Sequence, residues 1–190
     1  MNLEIALSRY KDVHERILPS IVASFSEEKL RKSFLHLNPP LWILWHMARS
    51  EDFGINRLAA DNITVYDHNN WHDKLNTGTH KMGTGMTKDE VIQISKTLNP
   101  AILNDYRMAV YHHNVDVIQQ IQSEDLSTDR DDAYLKRVLF EEDHLDIRIT
   151  NILPVYQKKT RAWFVVHTLV AHPFYHIGQL SVIKQLMEKN

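Results

Sequence analysis

The sequence predicts an all-α protein, a four-helix bundle with a long crossover between its second and third helices. Two observations support this fold class. Apolar residues recur at intervals of three and four along four long segments, as in amphipathic helices, and no persuasive strand pairing is evident. A long polar connection, residues 62–86, separates the second and third segments. The length of 190 residues fits a single domain, 1–190.

The first two long helices begin and end at recognisable residues. The apolar stripe of the first helix consists of Leu3, Ala6, Tyr10, Val13, Ile17 and Ile21. Pro19 should kink or divide this helix, because proline cannot donate the backbone hydrogen bond. A short helix capped by Ser26 is expected over 26–35. Pro40 is well placed to open the second helix, which runs to about Asp61.

The crossover, residues 62–86, contains three of the five glycines. A connection of this length is usually either a path between distant helices or part of a site. Thr87 and Glu90 form a capping box at the start of the third helix. We expect this helix to run to about Ile121, with a bend at Pro100.

The last part of the chain contains one clear helix after a region of mixed character. Residues 133–140 favour a short helix, whereas "LDIRITNILP" at 145–154 has strand character. The closing helix runs from about Thr160 to Glu188. Its inner stripe consists of Ala162, Val165, Leu169, His172, His176, Leu180, Ile183 and Met187.

The composition excludes several classes of protein. A formal net charge of −2 gives no electrostatic argument for binding nucleic acid or an anionic membrane. No apolar run approaches the roughly 18 residues of a membrane span, and the charged N-terminal segment lacks a signal peptide. A cytoplasmic protein is therefore expected. The absence of cysteine excludes disulfides, thiolate nucleophiles and cysteine-bound metal sites.

Histidine is unusually frequent, with 12 residues, and three of these side chains are predicted to face the bundle interior. His172 and His176 continue the apolar stripe of the last helix, and their separation of four residues makes the rings neighbours. His46 lies in an apolar segment of the second helix beside Trp42 and Trp45. This arrangement matches a three-histidine metal site with open coordination positions. The spacing alone also fits buried histidines that bond a carbonyl or a tyrosine.

The remaining histidines and two carboxylates are assigned other roles. His113 lies on an inner stripe and is a rival ligand, although a structural role is preferred. His167, five residues before His172, should point to a different side of the helix. It should pack against a neighbouring helix or form a hydrogen bond to a metal-binding residue. Glu51 and Asp52 are predicted to be surface charges, the alternative being that they orient a ligand or a metal-bound water. Solvent or loop positions are predicted for His14, His36, His68, His72, His80, His112 and His144.

Pro173 stands between the two histidines of the last helix. Because proline removes one backbone hydrogen bond and crowds the carbonyl four residues earlier, the helix is expected to kink here. Alternatively, a new helix begins at Pro173 and His172 takes the capping position. Proline also occupies the place of the general-base glutamate in the zinc-protease motif H-E-x-x-H, so a mechanism of that kind has no base here.

Three segments resemble the DinB-like superfamily of small four-helix-bundle proteins, which includes the YfiT-like metal-dependent hydrolases and low-molecular-weight-thiol transferases. They are "LWILWHMARSED", "GTGMTKDEVIQIS" and "WFVVHTLVAHPFYHIGQLSVIKQL". The resemblance implies a divalent metal, zinc or nickel, held by His46, His172 and His176. It also implies an unusual helix order and a homodimer. Pro173 departs from the family, in which glutamate or another helix former is frequent.

The function expected from these features is a metal-dependent enzyme that transfers a small-molecule thiol to an electrophile. A bound metal lowers the pKa of a thiol, and the absence of cysteine means that this thiol must come from a low-molecular-weight cosubstrate. Trp42, Trp45 and Phe174 are expected to wall an apolar substrate pocket. Two alternatives stay open: a hydrolase that uses metal-bound water, and a non-catalytic metal- or ligand-binding stress protein.

Overall fold

Helices make up the architecture of the described part of the chain. The structure is a computed structural model that describes residues 3–188, apart from the side chains of Ser123 and Thr150. Four long helices form the bundle, α1 (3–22), α2 (40–60), α3 (Pro100–Gln120) and α4 (161–188). Residues 3–188 contain two isolated bridges but no strand. The predicted all-α class is therefore confirmed.

Shorter helices occupy the connections between the long ones. They are Glu27–Arg31, Val65–His68, Trp71–Leu75, Lys88–Thr97, Ser123–Leu126, 132–141 and 147–156. The helix predicted over 133–140 is confirmed, but the strand character predicted for 145–154 is wrong. Among residues 3–188 no strand is available to pair with this segment, and its backbone bonds locally instead: the N–H of Ile149 donates to the carbonyl of Asp146 at 2.9 Å. Within residues 3–188, none of the helices combines the length and the apolarity of a membrane span.

The predicted third helix consists of two helices. Its capping box is present: the side chain of Thr87 accepts from the N–H of Glu90, and the Glu90 carboxylate accepts from the N–H of Thr87 at 2.6 Å. The predicted continuation through Pro100 is wrong, because α3 starts afresh there. A residue before proline is disfavoured in the helical conformation. Asn99 is accordingly extended, and its side chain caps the first free N–H groups of α3.

Two prolines inside long helices are accommodated by wider turns. Pro173 in α4 stands two residues after the end of a π-helical turn, His167–Ala171. Pro19 in α1 likewise stands two residues after the π-helical turn Val13–Ile17. In a π turn each backbone N–H donates to the carbonyl five residues earlier instead of four. The N–H of His172 accordingly donates to the carbonyl of His167. The alternative that a new helix begins at Pro173 is wrong, because α4 continues through this residue.

The second long helix, α2, lies at the centre of the bundle. Every residue from Pro40 to Arg49 is buried, and burial resumes from Glu51 to Asn56. The first half of α2 packs in one apolar core cluster and the second half packs in another. Because α2 is covered on all sides, each polar side chain on it requires a partner inside the protein.

The prediction that Asp52 is a surface charge is wrong. Its carboxylate is buried and accepts hydrogen bonds from the N–H of Val65 at 2.8 Å and from the N–H of Tyr66 at 2.9 Å. It also accepts from the hydroxyl of Tyr106 at 2.8 Å and from the amide of Asn56 at 2.9 Å. Asp52 thereby ties the start of the crossover and α3 to the central helix.

The same prediction for Glu51 is wrong as well. Its carboxylate is buried, accepts from the hydroxyl of Tyr10 at 3.0 Å and lies 3.1 Å from the Nε2 of His14. Asn114 donates to the backbone carbonyl of Glu51 at 3.2 Å. His14, predicted as a solvent or loop residue, is therefore a core residue that joins α1 to α2.

His144, predicted as a solvent or loop residue, lies in a loop but is buried. Its ring is buried against Phe53, with 4.6 Å between the centroids, and burial lowers its pKa to about 3. His80 is half-buried and pairs with Asp67 at 2.6 Å. The exposed positions are confirmed for His36, His68, His72 and His112.

Candidate metal centre

Three imidazole rings meet where α2 packs against α4. His46 belongs to α2, and His172 and His176 belong to α4. The Nε2 atom of His172 lies 3.3 Å from the Nε2 of His46 and 3.1 Å from the Nε2 of His176. One nitrogen from each ring lies within 4.8 Å of the other two. The structure thus brings the three predicted ligands to one point.

Two of these rings are oriented by hydrogen bonds on their far sides. The Nδ1 of His46 lies 2.7 Å from the backbone carbonyl of Met82, and the Nδ1 of His176 lies 2.7 Å from the Oε1 of Gln179. Both partners are acceptors, so Nδ1 carries the proton and Nε2 keeps a free lone pair. Second bonds of this kind fix the orientation of metal-binding histidines.

Burial keeps the three rings neutral. Desolvation, reinforced by the neighbouring His176, lowers the pKa of His46 to about 4. The pKa of His172 falls to about 2, mainly through desolvation and then through the nearby histidines. Desolvation also lowers the pKa of His176. The imidazoles are therefore uncharged near pH 7, the form in which they bind metals.

The spacing of the three rings fits a shared metal ion. Two nitrogens that bind one ion at about 2.0–2.1 Å with a tetrahedral angle lie about 3.3–3.4 Å apart. The observed Nε2 separations of 3.1 and 3.3 Å are close to this value. Imidazole nitrogens suit zinc, nickel, copper and iron better than calcium or magnesium, which prefer oxygen. The three-histidine group could therefore bind a metal ion.

The π turn of α4 brings a fourth histidine towards the site. Residues five apart on an α-helix differ by about 140° in direction, whereas in a π turn they lie nearly above one another. The rings of His167 and His172 accordingly have centroids 6.0 Å apart. His167 stacks on Trp163 of its own helix, with 4.8 Å between the ring centroids. The prediction that His167 points away from His172 is therefore wrong.

A cavity of about 340 Å³ opens beside the three histidines. Its wall includes His167 and four aromatic residues, Phe53, Tyr156, Phe164 and Tyr175. No site role was predicted for these four residues. They come from three separate segments, and no periodicity in the sequence indicates that these segments pack together. The nearest sequence hint was Tyr175, which lies inside the segment that carries the two histidines.

The three residues expected to wall an apolar pocket occupy different places. Trp42 stacks on His46, with ring centroids 5.0 Å apart, and lines a second cavity on the other side of the histidines. Trp45 is fully buried behind it. Phe174 is 38% exposed on α4, and its neighbour Tyr175 lines the first cavity. The rival ligand His113 lies elsewhere and bonds the side chain of Asn56 at 3.0 Å.

Comparison with known proteins identifies the family. A family model described as the DinB superfamily matches residues 11–180, which include all three histidines. The chain belongs to the DinB superfamily. No curated protein sequence matches it. The fold of this DinB-superfamily protein resembles the crystal structure of a conserved protein from Enterococcus faecalis, with a TM-score of 0.71 and 17% identity over 100% of this chain and 99% of that one. At this identity the likeness concerns the fold alone.

Gln179 should be needed for full metal affinity. Its Oε1 holds the Nδ1 proton of His176, so Gln179→Ala removes the bond that orients this ring. We expect metal affinity to fall by about 10- to 100-fold, as measured by competition with a chromogenic chelator. Gln179→Glu retains an acceptor and should restore most of the affinity. Gln185→Ala, at an exposed position of the same helix, is the matched control, and an equal loss in this variant would contradict the role of Gln179.

Gly83 should tolerate no side chain. Its φ of +100° is strained for other residues, and an added Cβ would lie 2.7 Å from the ring of Trp45. Gly83→Ala should therefore lower the free energy of unfolding by about 2–4 kcal/mol in urea titrations. Gly78 also has a positive φ, of +67°, but an added Cβ there meets nothing within 4 Å. Gly78→Ala should lower the free energy of unfolding by about 1 kcal/mol. Equal decreases in the two variants would show that the collision with Trp45 contributes nothing to the loss in Gly83→Ala.

Proposed function

We propose that this protein is a metal-dependent transferase that joins a small thiol to an electrophilic carbon. The metal ion would be held by His46, His172 and His176. The observation that carries the proposal is the convergence of three neutral imidazole nitrogens at the wall of a cavity. No Asp or Glu is found among the described residues that line this cavity. Thiol transfer suits such a site, because a thiolate attacks without a general base at the moment of reaction.

The metal in this proposal is zinc or nickel. A divalent ion held by three imidazoles keeps open positions and lowers the pKa of a thiol that binds there. The chain's own contribution is to keep the three imidazoles neutral by burial. It also orients two of them, His46 through the carbonyl of Met82 and His176 through the side chain of Gln179.

The proposed reaction balances without a further reagent. The thiol releases its proton to solvent, and the sulfur lone pair forms the new sulfur–carbon bond. The bond between that carbon and its leaving group breaks, and the leaving group departs with the electron pair. No oxidant or reductant is required. The thiol is a separate molecule, because the chain contains no cysteine.

A two-substrate assay tests the proposal. Protein purified without a histidine tag and loaded with zinc or nickel should accelerate the loss of an activated aryl chloride in the presence of 2-mercaptoethanol. The rate should require both the thiol and the metal, and His176→Ala should reduce it to the uncatalysed rate. Hydrolysis of an ester substrate without thiol would favour the hydrolase alternative instead. Metal binding without either activity would favour a binding protein. The transferase is contradicted in both cases when the thiol does not accelerate the loss of the aryl chloride.

A further inference from the structure

Two cavities of different character meet at the three-histidine group. The first is the cavity of about 340 Å³ described above, and the second has a volume of about 260 Å³. His46, Thr84 and His176 line both. A molecule in either cavity would therefore contact the same two imidazole rings from a different side.

The first cavity, which we term the apolar cavity, has no formally charged wall. None of the described residues around it is Asp, Glu, Lys or Arg. Its aromatic walls include Tyr156 and Phe164, whose rings stack with centroids 6.0 Å apart. Burial raises the pKa of Tyr156 to about 12, so its hydroxyl stays neutral near pH 7. A carboxylate placed in this cavity away from the three histidines would lose its hydration without gaining a cationic partner from these side chains.

The size of the apolar cavity suits a small aromatic molecule. A cavity of about 150 Å³ is sufficient to bind benzene, and the present one is about 340 Å³. Flat rings also gain from offset or edge contacts with aromatic walls. Both considerations favour a substituted aromatic ring or an aliphatic group of similar size.

The second cavity, which we term the polar cavity, has a different wall. Asn38, Lys88 and Gln179 line it, and Lys88 is the one formally charged side chain among the described residues around it. Gly83 and Gly85 also line it, together with the apolar side chains of Trp42, Met86 and Val91. Amide and ammonium groups of this kind bind polar and anionic substituents.

A thin segment of backbone separates the two cavities. Gly83 and Gly85 both have positive φ, and side chains at these positions would collide with Trp45 and Ile149 respectively. Thr84 between them lines both cavities. The two glycines thus let the chain pass between α2 and the 147–156 segment with a single side chain at the boundary.

We propose that the apolar cavity binds the electrophile as an uncharged, largely apolar molecule, while the thiol approaches the same histidines from the polar cavity. This inference rests on the proposed thiol transfer. The two substrates would then occupy the site together, and each would be selected by a different wall. Substitutions in one cavity should therefore change the affinity for one substrate and leave the other unchanged.

A matched pair of unreactive ligands tests the electrophile side without any turnover. Nitrobenzene and 4-nitrobenzoate differ by one carboxylate. We expect the metal-free protein, in which no bound cation attracts the carboxylate, to bind nitrobenzene at least tenfold more tightly in calorimetric titrations. Val155 lines the apolar cavity and is 52% exposed. Val155→Lys should improve the binding of 4-nitrobenzoate by roughly fivefold. Ile147→Lys, in the same 147–156 segment but outside the cavity wall, should change neither affinity.

The thiol side is tested by reversing the charge of the polar cavity. Lys88→Glu should weaken the binding of 3-mercaptopropionate, an anionic thiol, by at least fivefold and leave nitrobenzene binding unchanged. Equal or tighter binding of 4-nitrobenzoate by the unsubstituted protein, or competition between thiol and nitrobenzene, would overturn the inference. The proposed function has a separate criterion, because it fails if the activated aryl chloride is not consumed even when both ligands bind as expected.

Discussion

Replacing His172 with alanine should abolish stoichiometric metal binding. The Nε2 of this residue lies 3.3 Å from that of His46 and 3.1 Å from that of His176, so the substitution removes one of the three donors of the group. Two imidazoles that remain hold a divalent ion far more weakly than three. Because the loss of a supporting bond alone costs about 10- to 100-fold in affinity, we expect a decrease of more than about 100-fold. The metal content of dialysed, untagged protein, measured by elemental analysis, should fall from about one ion per chain to nearly none.

Matched variants make this result specific. His46→Ala and His176→Ala should have the same effect, whereas His68→Ala, at an exposed position, should leave metal content unchanged. Circular dichroism would establish that each variant stays folded. Full metal content in all three site variants would show that the rings are structural, which is the alternative that spacing alone left open.

Asp52→Ala should cause the largest loss of stability. The carboxylate is fully buried and accepts from two backbone N–H groups of the crossover and from the hydroxyl of Tyr106. Arg49, also fully buried, lies 3.8 Å away. Removing the carboxylate leaves these donors without their acceptor and the arginine charge without its partner in the ion pair, so the free energy of unfolding should fall by about 3–5 kcal/mol. Urea titration followed by circular dichroism measures the change.

A surface aspartate provides the comparison for this variant. Asp116 is exposed on α3, and Asp116→Ala should change the free energy of unfolding by less than about 0.5 kcal/mol. A loss below about 1 kcal/mol in Asp52→Ala would contradict a structural role for the buried carboxylate. We also expect Asp52→Ala to loosen metal binding, because Asp52 anchors the crossover that supplies the Met82 carbonyl to His46.

Local patterns were sufficient to predict the elements of the candidate site. The step of four residues between His172 and His176 survives because α4 is α-helical over this interval. His46 could be predicted to face inward because its whole segment is apolar, and such a segment must be covered. These inferences depend only on residues that are close to one another in the sequence.

Charged residues on α2 were harder to predict. Asp52 and Glu51 look like surface charges in sequence, but their partners come from residues 10, 14, 65, 66 and 106. A buried carboxylate is stable only when distant donors reach it. No local pattern records which donors those are.

The sequence by itself determined the helical class, the family and the three histidines that share the bundle interior. The helical class and the interior position of the histidines follow from local spacing and residue type, and the family follows from the resemblance of three segments to the DinB-like superfamily. Only the tertiary structure decided which way His167 turns, how Pro173 is accommodated and which residues wall the two cavities. The physical reason is that a π turn changes the helical period from which side-chain directions are inferred, and that cavity walls form between segments far apart in the chain. Phe53, Thr84, Tyr156 and Phe164 become neighbours of the three histidines only when the crossover and the 147–156 segment close over α2 and α4.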